Sequence, residues 1–328
     1  MKICIYGAGA VGGVIAGRLS ASGHNVSVVA RGGHLTAIRE HGLRIHDVAS
    51  GESSVARLRA ESDPTALGAQ DYVIVTVKGQ GLPQVAASIG PLLGPQTSIV
   101  TAMNGIPWWF FDRLPFGGGR LHLESLDPGG QISRAIPTSR VVGCVVHLAA
   151  SITQPGVISH NMGARLILGE PGGRNTDRTR RLADALREVG FEIDESAFIE
   201  KDFWVKLLGN VSFNPVSALT LATADRLIAD PLVKAYLVAI MRECLAIGRA
   251  VGVDADIDPE VRMDMARKLG TFKTSMLQDL EAGKALEIDG LLTGTLEVAA
   301  KAGVAAPVTE SLLGLIRLRA QTTGQYAR

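Results

Sequence analysis

A glycine-rich hexapeptide near the start of the chain constrains the fold more strongly than any other feature. The sequence GAGAVG fills residues 7–12, directly after the apolar run KICIYG and before a helical pattern. In such a strand–turn–helix, Gly7 permits a tight turn, Gly9 lets the backbone approach a pyrophosphate, and Gly12 lets helix and strand pack closely. Free N–H groups at the start of the helix then face the anion. The segment predicts a dinucleotide site made of Gly7, Ala8, Gly9, Ala10, Val11 and Gly12.

The first half of the chain alternates short β-branched runs with helical patterns. The predicted elements are strands at 2–7, 24–31, 71–78 and 97–105 and helices at 10–22 and 34–41. The strand runs are apolar almost without interruption, which is typical of a parallel sheet covered on both faces. This alternation predicts an α/β fold with a Rossmann-type, doubly wound and mostly parallel sheet.

The pattern changes near residue 197. Further elements are predicted before it, namely strands at 141–150, 156–160 and 164–169, a helix at 176–189 and the strand-like run FEIDES. After it, only helical periodicity continues to the C-terminus. Because 328 residues are many for a single core, we predict two domains. Their bounds are 1–196 for the Rossmann-type domain and 197–328 for an all-helical domain.

An unusual excursion, residues 107–140, interrupts the first predicted domain. It is rich in glycine, proline and aromatic residues and contains PWWFF, PFGGGR and LDPGG. A loop of this length in a compact domain is usually functional or flexible. A surface excursion with short strands and a lid or pocket wall are both compatible with this composition.

Bulk composition excludes several classes of partner. A net formal charge of +1 gives no support to a nucleic acid or a membrane surface. The N-terminal segment has no leader pattern, so no signal peptide is predicted. No run of about 18 uncharged apolar residues occurs, so no membrane span is predicted. The three cysteines are far apart and the seven histidines form no HxxxH pair, so no metal site is predicted. Reduced thiols fit a cytoplasmic location.

The end of the second predicted strand indicates which dinucleotide binds. NAD-binding versions usually place Asp or Glu there, about 20 residues beyond the glycines, to hold the ribose hydroxyls. This chain instead has Arg31, within ARGGH. A guanidinium can hold a 2′-phosphate through two hydrogen bonds, whereas a carboxylate would repel it. We therefore predict NADPH rather than NADH, with a surface-turn role for Arg31 as the alternative.

Two polar residues end the next predicted strands. Lys78 closes DYVIVTVK, and Asn104 closes TSIVTAMNG apart from its final glycine. The carboxyl ends of strands in an open α/β sheet border the ligand crevice, so Lys78 is a candidate for cofactor phosphate or substrate. Asn104 suits a carboxamide or a ribose hydroxyl. A solvated lysine and an ordinary Asn-Gly turn are the structural alternatives.

A polar stripe interrupts the apolar segment FWVKLLGNVSFNP in the second predicted domain. Lys206, Asn210 and Asn214 recur every four residues and therefore share one face of a helix. The apolar neighbours leave little surface for a solvated stripe, so we predict that the stripe faces a crevice. Pro215 predicts that the helix bends or ends there.

An ammonium in such a crevice has a clear use beside NADPH. When hydride reaches a carbonyl carbon, the oxygen gains charge and needs a proton. Lys206 can stabilise that charge and deliver the proton, while Asn210 and Asn214 fix substrate oxygens without adding charge.

A second polar pair lies in TSMLQDLEAGKALEID, and each member has a structural alternative. Ser275 is compatible with a helix N-cap that has Gln278 as its capping-box partner. Glu287 is compatible with a surface acid on an amphipathic helix.

Taken together, these segments resemble the ketopantoate reductase (2-dehydropantoate 2-reductase) family over nearly the whole chain. The resemblance rests on GAGAVG, Arg31, VTVK with Lys78, MNG with Asn104, WVKLLGNVSFNP and SMLQDLEAGKALEID. It implies a Rossmann-type domain, an all-helical domain and an active site in the cleft. It also implies reduction of the C2 carbonyl of ketopantoate to pantoate by NADPH, a step of pantothenate biosynthesis.

The resemblance assigns roles to individual residues. Lys206 corresponds to a general acid, and Glu287 corresponds to an acid that supports binding and catalysis near the lysine. Substrate contacts are implied for Asn104, Lys206, Asn210, Asn214 and Ser275. Cofactor contacts are implied for Arg31, Lys78 and Asn104.

Three alternatives are compatible with the sequence. Another bulky 2-oxo acid is a competing substrate, because the excursion carries Arg120, Glu124, Arg134 and the Trp108–Trp109 pair. β-Hydroxyacid dehydrogenases also place an asparagine four residues after a lysine, but their glycine-rich serine segment is not found here. A non-catalytic NADPH-binding sensor would need neither the lysine nor the acid of the helical domain.

Oligomeric state is not fixed by the sequence. Segments 231–251 and 306–318 have ample apolar faces. These faces are compatible with a homodimer and equally with packing inside one chain.

Overall fold

The computed structural model describes residues 1–119, 121–268 and 270–326, so Arg120 lies outside the described residues. The chain divides into two compact units. The sheet unit contains Met1–Met103 and Gly129–Ile199, and the helical unit contains Asn104–Pro128 and Glu200–Arg328.

Within its described residues, the sheet unit contains ten strands and five α-helices. The strands are β1 (Lys2–Tyr6), β2 (Asn25–Val29), β3 (Leu43–Asp47), β4 (Ser53–Ala56), β5 (Arg59–Glu61), β6 (Gln70–Val75), β7 (Leu93–Ala102), β8 (Val141–Gln154), β9 (Val157–Gly169) and β10 (Glu192–Glu195). The helices are α1 (Ala10–Leu19), α2 (Gly32–His41), α3 (Leu82–Ser88), α4 (Gln131–Ala135) and α5 (Asp177–Glu188).

One mixed sheet runs through this unit in the order β4-β3-β9-β8-β7-β6-β1-β2-β5, and β10 pairs with β9. Strands β5, β2, β1, β6, β7 and β8 pair in parallel, and they form the Rossmann-type core. Only β8 with β9 and β3 with β4 pair antiparallel among the described strands. The prediction of a Rossmann-type, mostly parallel sheet is therefore confirmed.

Helix α1 packs against both ends of this curled sheet. It contacts β1 and β2 of the Rossmann-type core and also β3, β8 and β9. A Cβ added at Gly13 would lie 1.9 Å from Ile158 Cδ1, and one added at Gly17 would lie 1.9 Å from Ile45 Cδ1. These two glycines share one helix face, so they allow β9 and β3 to approach the α1 backbone.

Strand predictions were correct in place but incomplete. The predicted strands 156–160 and 164–169 form the single strand β9, and Gly163 with φ 76° marks the point where the pattern was split. Strands β3, β4 and β5 were not predicted. They are short, and β4 is mostly exposed, so none presents a continuous apolar run.

The helical unit, within the described residues, contains seven α-helices and one π-helical turn. The helices are α6 (Ile199–Thr220), α7 (Ala224–Ala229), α8 (Pro231–Ala250), α9 (Pro259–Lys268), α10 (Ser275–Glu281), α11 (Gly294–Ala302) and α12 (Pro307–Thr322). The π-helical turn is Asp289–Thr293. None of the described helices is both long and apolar enough to cross a membrane.

Helix α6 does not end at Pro215 but continues to Thr220. Proline removes one backbone hydrogen bond inside a helix. Here Phe213, Val216 and Ala218 flank it and are almost fully buried. Burial of apolar side chains on both sides of the proline offsets the lost hydrogen bond.

The excursion is divided between the units, which corrects its assignment to the first domain. Residues 104–128 belong to the helical unit and residues 129–140 to the sheet unit. Aromatic packing explains the division, because the Trp109 ring lies 5.5 Å from that of Phe203 and the Phe110 ring 5.6 Å from that of Trp204. Because Trp109 and Phe110 are buried, this part of the excursion belongs to the core of the helical unit and not to its surface.

A carboxylate fixes the next part of the excursion. Glu297 on α11 accepts hydrogen bonds from the amides of Glu124 and Ser125, both at 2.9 Å, and from the Ser125 hydroxyl at 2.6 Å. Among the described residues of 107–140 no strand is present, so the expectation of short strands is wrong.

Candidate functional site

The turn between β1 and α1 has the geometry of a dinucleotide-binding loop. Gly7 has φ +104°, in a region that favours glycine, and its amide donates to the Val29 carbonyl at 3.0 Å. A Cβ at Gly12 would lie 2.2 Å from Thr76 Oγ1, so helix and strand meet closely there. A Cβ at Gly9 meets nothing within 4 Å. The space at the start of α1 is therefore open, and a phosphate group has room beside its N–H groups.

A pocket of about 450 Å³ opens beside this turn. Residues from the ends of β1 and β2, from the segment after β5 and from α3 line it. This volume lies in the range of small-molecule sites. Its place at the carboxyl ends of parallel strands is where open α/β sheets bind ligands.

Arg31 lies on the wall of this pocket, at the N-cap of α2. Its Nη1 donates to Oε1 of Gln84, another pocket residue. Asp63 also lines the pocket, but its carboxylate accepts the Thr65 amide at 2.9 Å, and hydrogen bonds from Thr65 lower its pKa. The exposed guanidinium thus stands where the sequence predicts a 2′-phosphate contact.

His34 lines the same pocket, although the sequence did not single it out. The Gly156 amide donates to His34 Nδ1 at 2.9 Å, so the proton of the neutral ring lies on Nε2. Burial lowers the pKa of His34, and a hydrogen bond with the Ala8 backbone partly offsets this shift. Its position three residues after Arg31 was the available sequence signal.

Lys78 and Asn104 fall in different units. Lys78 follows β6 and precedes the 3₁₀ turn Gly79–Gly81 of the sheet unit, where it is half-buried. Asn104 follows β7 but belongs to the helical unit. Their predicted roles in cofactor and substrate binding stay predictions.

Helix α6 carries the polar stripe. Phe203, Trp204, Leu207, Leu208 and Val211 bury its other faces. Trp204 is fixed further, because its Nε1 donates to the Cys244 carbonyl at 3.1 Å. Lys206 and Asn210 are half-buried and Asn214 is buried. The helix therefore presents one ammonium and one carboxamide at the edge of an apolar core, with a second carboxamide inside it.

Asn214 meets Ser275 across the helical unit. Its Nδ2 donates to Ser275 Oγ at 3.4 Å. Thr274, not Ser275, is the N-cap of α10, because its hydroxyl accepts the Leu277 amide at 3.2 Å. The N-cap therefore lies one residue before Ser275, so the capping alternative for Ser275 is wrong. The hydrogen bond between Asn214 and Ser275 brings together two of the predicted substrate residues.

Glu287 lies in an irregular segment before the π-helical turn, so the expectation of an amphipathic helix around it is wrong. The backbone carbonyl of Gly290, three residues after Glu287, accepts a hydrogen bond from the Ile106 amide at 3.0 Å. A Cβ on Gly105 would lie 2.4 Å from the Gly290 carbonyl oxygen. This close contact, which requires glycine at 105, holds the Asn104 turn against the segment that follows Glu287.

No group of three metal-ligating side chains occurs within the described residues.

A glycine turn on a Rossmann-type sheet, combined with a helical unit that carries a lysine–amide stripe, defines a class of dinucleotide-dependent oxidoreductases. Comparison with known proteins gives the particular family. Residues 3–109 match Ketopantoate reductase PanE/ApbA, and residues 199–320 match Ketopantoate reductase PanE/ApbA C terminal. The chain belongs to the ketopantoate reductase family, which confirms the resemblance found in the sequence.

Individual relatives are similar over their full length. A 2-dehydropantoate 2-reductase of Mesorhizobium japonicum is 42% identical over 100% of both chains. A solved structure from Ralstonia solanacearum MolK2, assigned to the ketopantoate reductases, is 47% identical with a TM-score of 0.94 over 99% of both chains. The ternary structure of D-mandelate dehydrogenase with NADH and anilino(oxo)acetate shares the fold, with a TM-score of 0.84, 20% identity and coverage of 99% and 100%.

Proposed function

We propose that this chain reduces the C2 carbonyl of ketopantoate (2-dehydropantoate) to pantoate with NADPH, a step of pantothenate biosynthesis. The observation that carries the proposal is the 42% identity to a 2-dehydropantoate 2-reductase across the whole of both chains. The family matches on both units support it, since Lys206, Asn210, Asn214 and Ser275 all lie inside the second matched range.

The sheet unit fits a dinucleotide. Open space at Gly9 and the positive φ of Gly7 suit a pyrophosphate beside the start of α1. Bound NADPH supplies the hydride. Arg31 would hold the 2′-phosphate, and His34 lines the same pocket. The D-mandelate dehydrogenase structure holds NADH, so the choice between the two cofactors needs its own experiment.

Arg31→Ala tests the cofactor. We expect kcat/KM for NADPH to fall about 10- to 100-fold, because charge-assisted hydrogen bonds to the phosphate are lost. Activity with NADH should stay as low as before. Arg44→Ala, which removes an exposed guanidinium from β3, is the matched control. Unchanged NADPH kinetics in Arg31→Ala would show that the arginine only caps a surface turn.

The helical unit would supply the groups that act on the substrate. Lys206 stabilises the charge that develops on the C2 oxygen and delivers the proton. Asn210, Asn214 and Ser275 would contact further substrate oxygens through neutral hydrogen bonds. Glu287 would support the lysine, and Asn104, whose turn lies beside that segment, would keep cofactor and substrate in register.

Substrate identity is tested by steady-state kinetics across a panel of 2-oxo acids that includes ketopantoate and bulkier acids. We expect ketopantoate to give the highest kcat/KM. A preference of about tenfold or more for another acid would establish the alternative, a reductase of another bulky 2-oxo acid. Cofactor binding without turnover of any acid would instead favour a non-catalytic sensor.

Two further expectations are open to simple measurements. A homodimer is tested by analytical ultracentrifugation, and the exposed side chains of Leu315 and Leu318 on α12 support examining that face. The cytoplasmic location predicted from the reduced cysteines is tested by cell fractionation.

A further inference from the structure

Helix α9 places one arginine directly on the helix that carries the polar stripe. A Cβ built on Gly209 of α6 would lie 2.3 Å from Nη2 of Arg262, 3.0 Å from its Cζ and 3.2 Å from its Nε. The guanidinium therefore covers the backbone at Gly209, and any larger residue there would displace it. Glycine inside a helix is otherwise destabilising, so this close approach accounts for a glycine in α6.

The guanidinium of Arg262 has no counter-ion within the described part of the chain. No hydrogen bond or ion pair joins its side chain to any described residue. Arg267 on the same helix differs, because it is exposed and pairs with Asp264. Burial alone lowers the pKa of Arg262. A half-buried cation without a partner is unfavourable unless an anion joins it.

The position of this cation matches the shape of a 2-oxo acid. Gly209 is three residues after Lys206 on α6, so the two positions are surface neighbours with about 5–6 Å between their Cβ sites. Asn210 follows directly. In a 2-oxo acid the carboxylate carbon is bonded to the carbonyl carbon, so two cationic groups at neighbouring positions can each contact one of them.

We propose that Arg262 binds the C1 carboxylate of the substrate while Lys206 faces the C2 oxygen. This inference rests on the proposed function and extends it to the recognition of the acid group. A guanidinium can hold a carboxylate through two parallel hydrogen bonds, which fixes the plane of the acid as well as its charge. The site would therefore favour 2-oxo acids over neutral ketones and lactones.

Arg262→Met tests this assignment by comparing ketopantoate with its neutral lactone. We expect kcat/KM for the acid to fall about 10- to 100-fold through KM, while the value for the lactone and the Kd of NADPH change little. The acid-to-lactone preference should therefore fall by the same factor. A purely structural role would lower both substrates together. Arg267→Met, on the same helix, is the matched control and should leave the preference unchanged.

Gly209→Ala provides a second variant that keeps the charge and improves helix propensity. Its methyl group displaces the guanidinium, so we expect a loss of preference in the same direction. If wild type reduces ketopantoate and both variants keep its acid preference, the inference is wrong and the proposed function stands. A raised Kd for NADPH with unchanged preference would assign Arg262 to a cofactor phosphate and also overturn it. If wild type reduces no 2-oxo acid, the proposed function fails and the inference with it.

Discussion

The two units build their candidate sites from different materials. In the sheet unit the turn at Gly7 to Gly12 consists of backbone and open space, with few polar side chains. In the helical unit the candidate site lies on helix α6, and its proposed members are side chains such as Lys206 and Asn210. The difference shows which change each site tolerates least. A single added methyl group should damage the first, whereas removal of a single polar group should damage the second.

Lys206→Ala should give the largest effect, because it removes a polar group from the candidate site of the helical unit. We expect kcat to fall about 100- to 10,000-fold, because the proton donor is lost, with no change in the Kd of NADPH. Steady-state kinetics and a fluorescence titration of NADPH measure the two quantities. Lys201→Ala makes the same chemical change on α6 and should leave kcat unaltered. A Lys206→Ala enzyme with wild-type turnover would remove the basis for the proposed mechanism.

Gly12→Ala and Gly9→Ala form a matched pair within the sheet unit. The new Cβ at position 12 would overlap Thr76 Oγ1 and the Gly7 carbonyl oxygen, so we expect destabilisation of about 1–3 kcal/mol or more. The Cβ at position 9 enters open space, so we expect a normal Tm but weaker NADPH binding. Thermal unfolding and NADPH titration separate the two effects. Equal Tm values for the two variants would contradict the packing role of Gly12.

Glu297→Ala tests how the excursion is held in the helical unit. Burial opposes ionisation of Glu297. Hydrogen bonds from the Ser125 hydroxyl and from the backbone amides of Ser125 and Glu124 nevertheless keep its pKa below the usual value. Losing these bonds should lower the free energy of unfolding by about 1–3 kcal/mol.

Urea unfolding followed by tryptophan fluorescence suits this test, because Trp108, Trp109 and Trp204 all lie in the helical unit. Lys301→Ala is the control. It removes only an ion pair with Glu297 at 3.7 Å, which is worth less than about 1 kcal/mol. A larger loss in the control than in Glu297→Ala would show that the ion pair, not the amide contacts, holds the loop.

Asp47→Asn should give the smallest effect, which is a change in how the free energy of unfolding depends on pH. The Ser50 amide and a hydrogen bond from His160 hold the pKa of Asp47 at about 2, below its ordinary value of 3.8. Because the folded-state pKa is lowered, the stabilisation is present above about pH 4 and is lost as pH falls towards about 2. We expect the stability difference between wild type and Asp47→Asn to shrink over that range.

Urea unfolding followed by circular dichroism between about pH 2 and pH 6 measures this difference. Asp194→Asn is the control, since Asp194 is exposed and its contact is a surface pair with Arg165. A difference that grows on acidification would show that Asp47 does not stabilise the β3–β9 edge.

The features of the fold that depend on the backbone were predicted well from the sequence. The GAGAVG turn and the long apolar strands depend on local spacing, so the Rossmann-type sheet could be predicted from residue order alone. Strands β3 to β5 could not, because they are short and pair with distant partners such as β9 or β2. The division of the excursion also depended on distant contacts, chiefly Trp109 with Phe203.

Side-chain features were harder to predict from spacing alone. The four-residue period found the stripe on α6 because one helix carries all three residues. Arg262 was missed, because its environment is set by Gly209, which lies far from it in sequence. Ser275 was given a capping alternative because it precedes a helical segment, and only the backbone shows that the cap is Thr274.

The contacts of α1 have a consequence for how this chain is made. The helix leaves the ribosome early, yet Ile158, which fills the space beside Gly13, is synthesised much later. Until β9 emerges, the part of α1 around Gly13 lacks the strand that covers it, and the growing chain carries an uncovered apolar surface there. Completion of the N-terminal motif is therefore a late event of translation, and truncation before residue 157 leaves a species prone to aggregate.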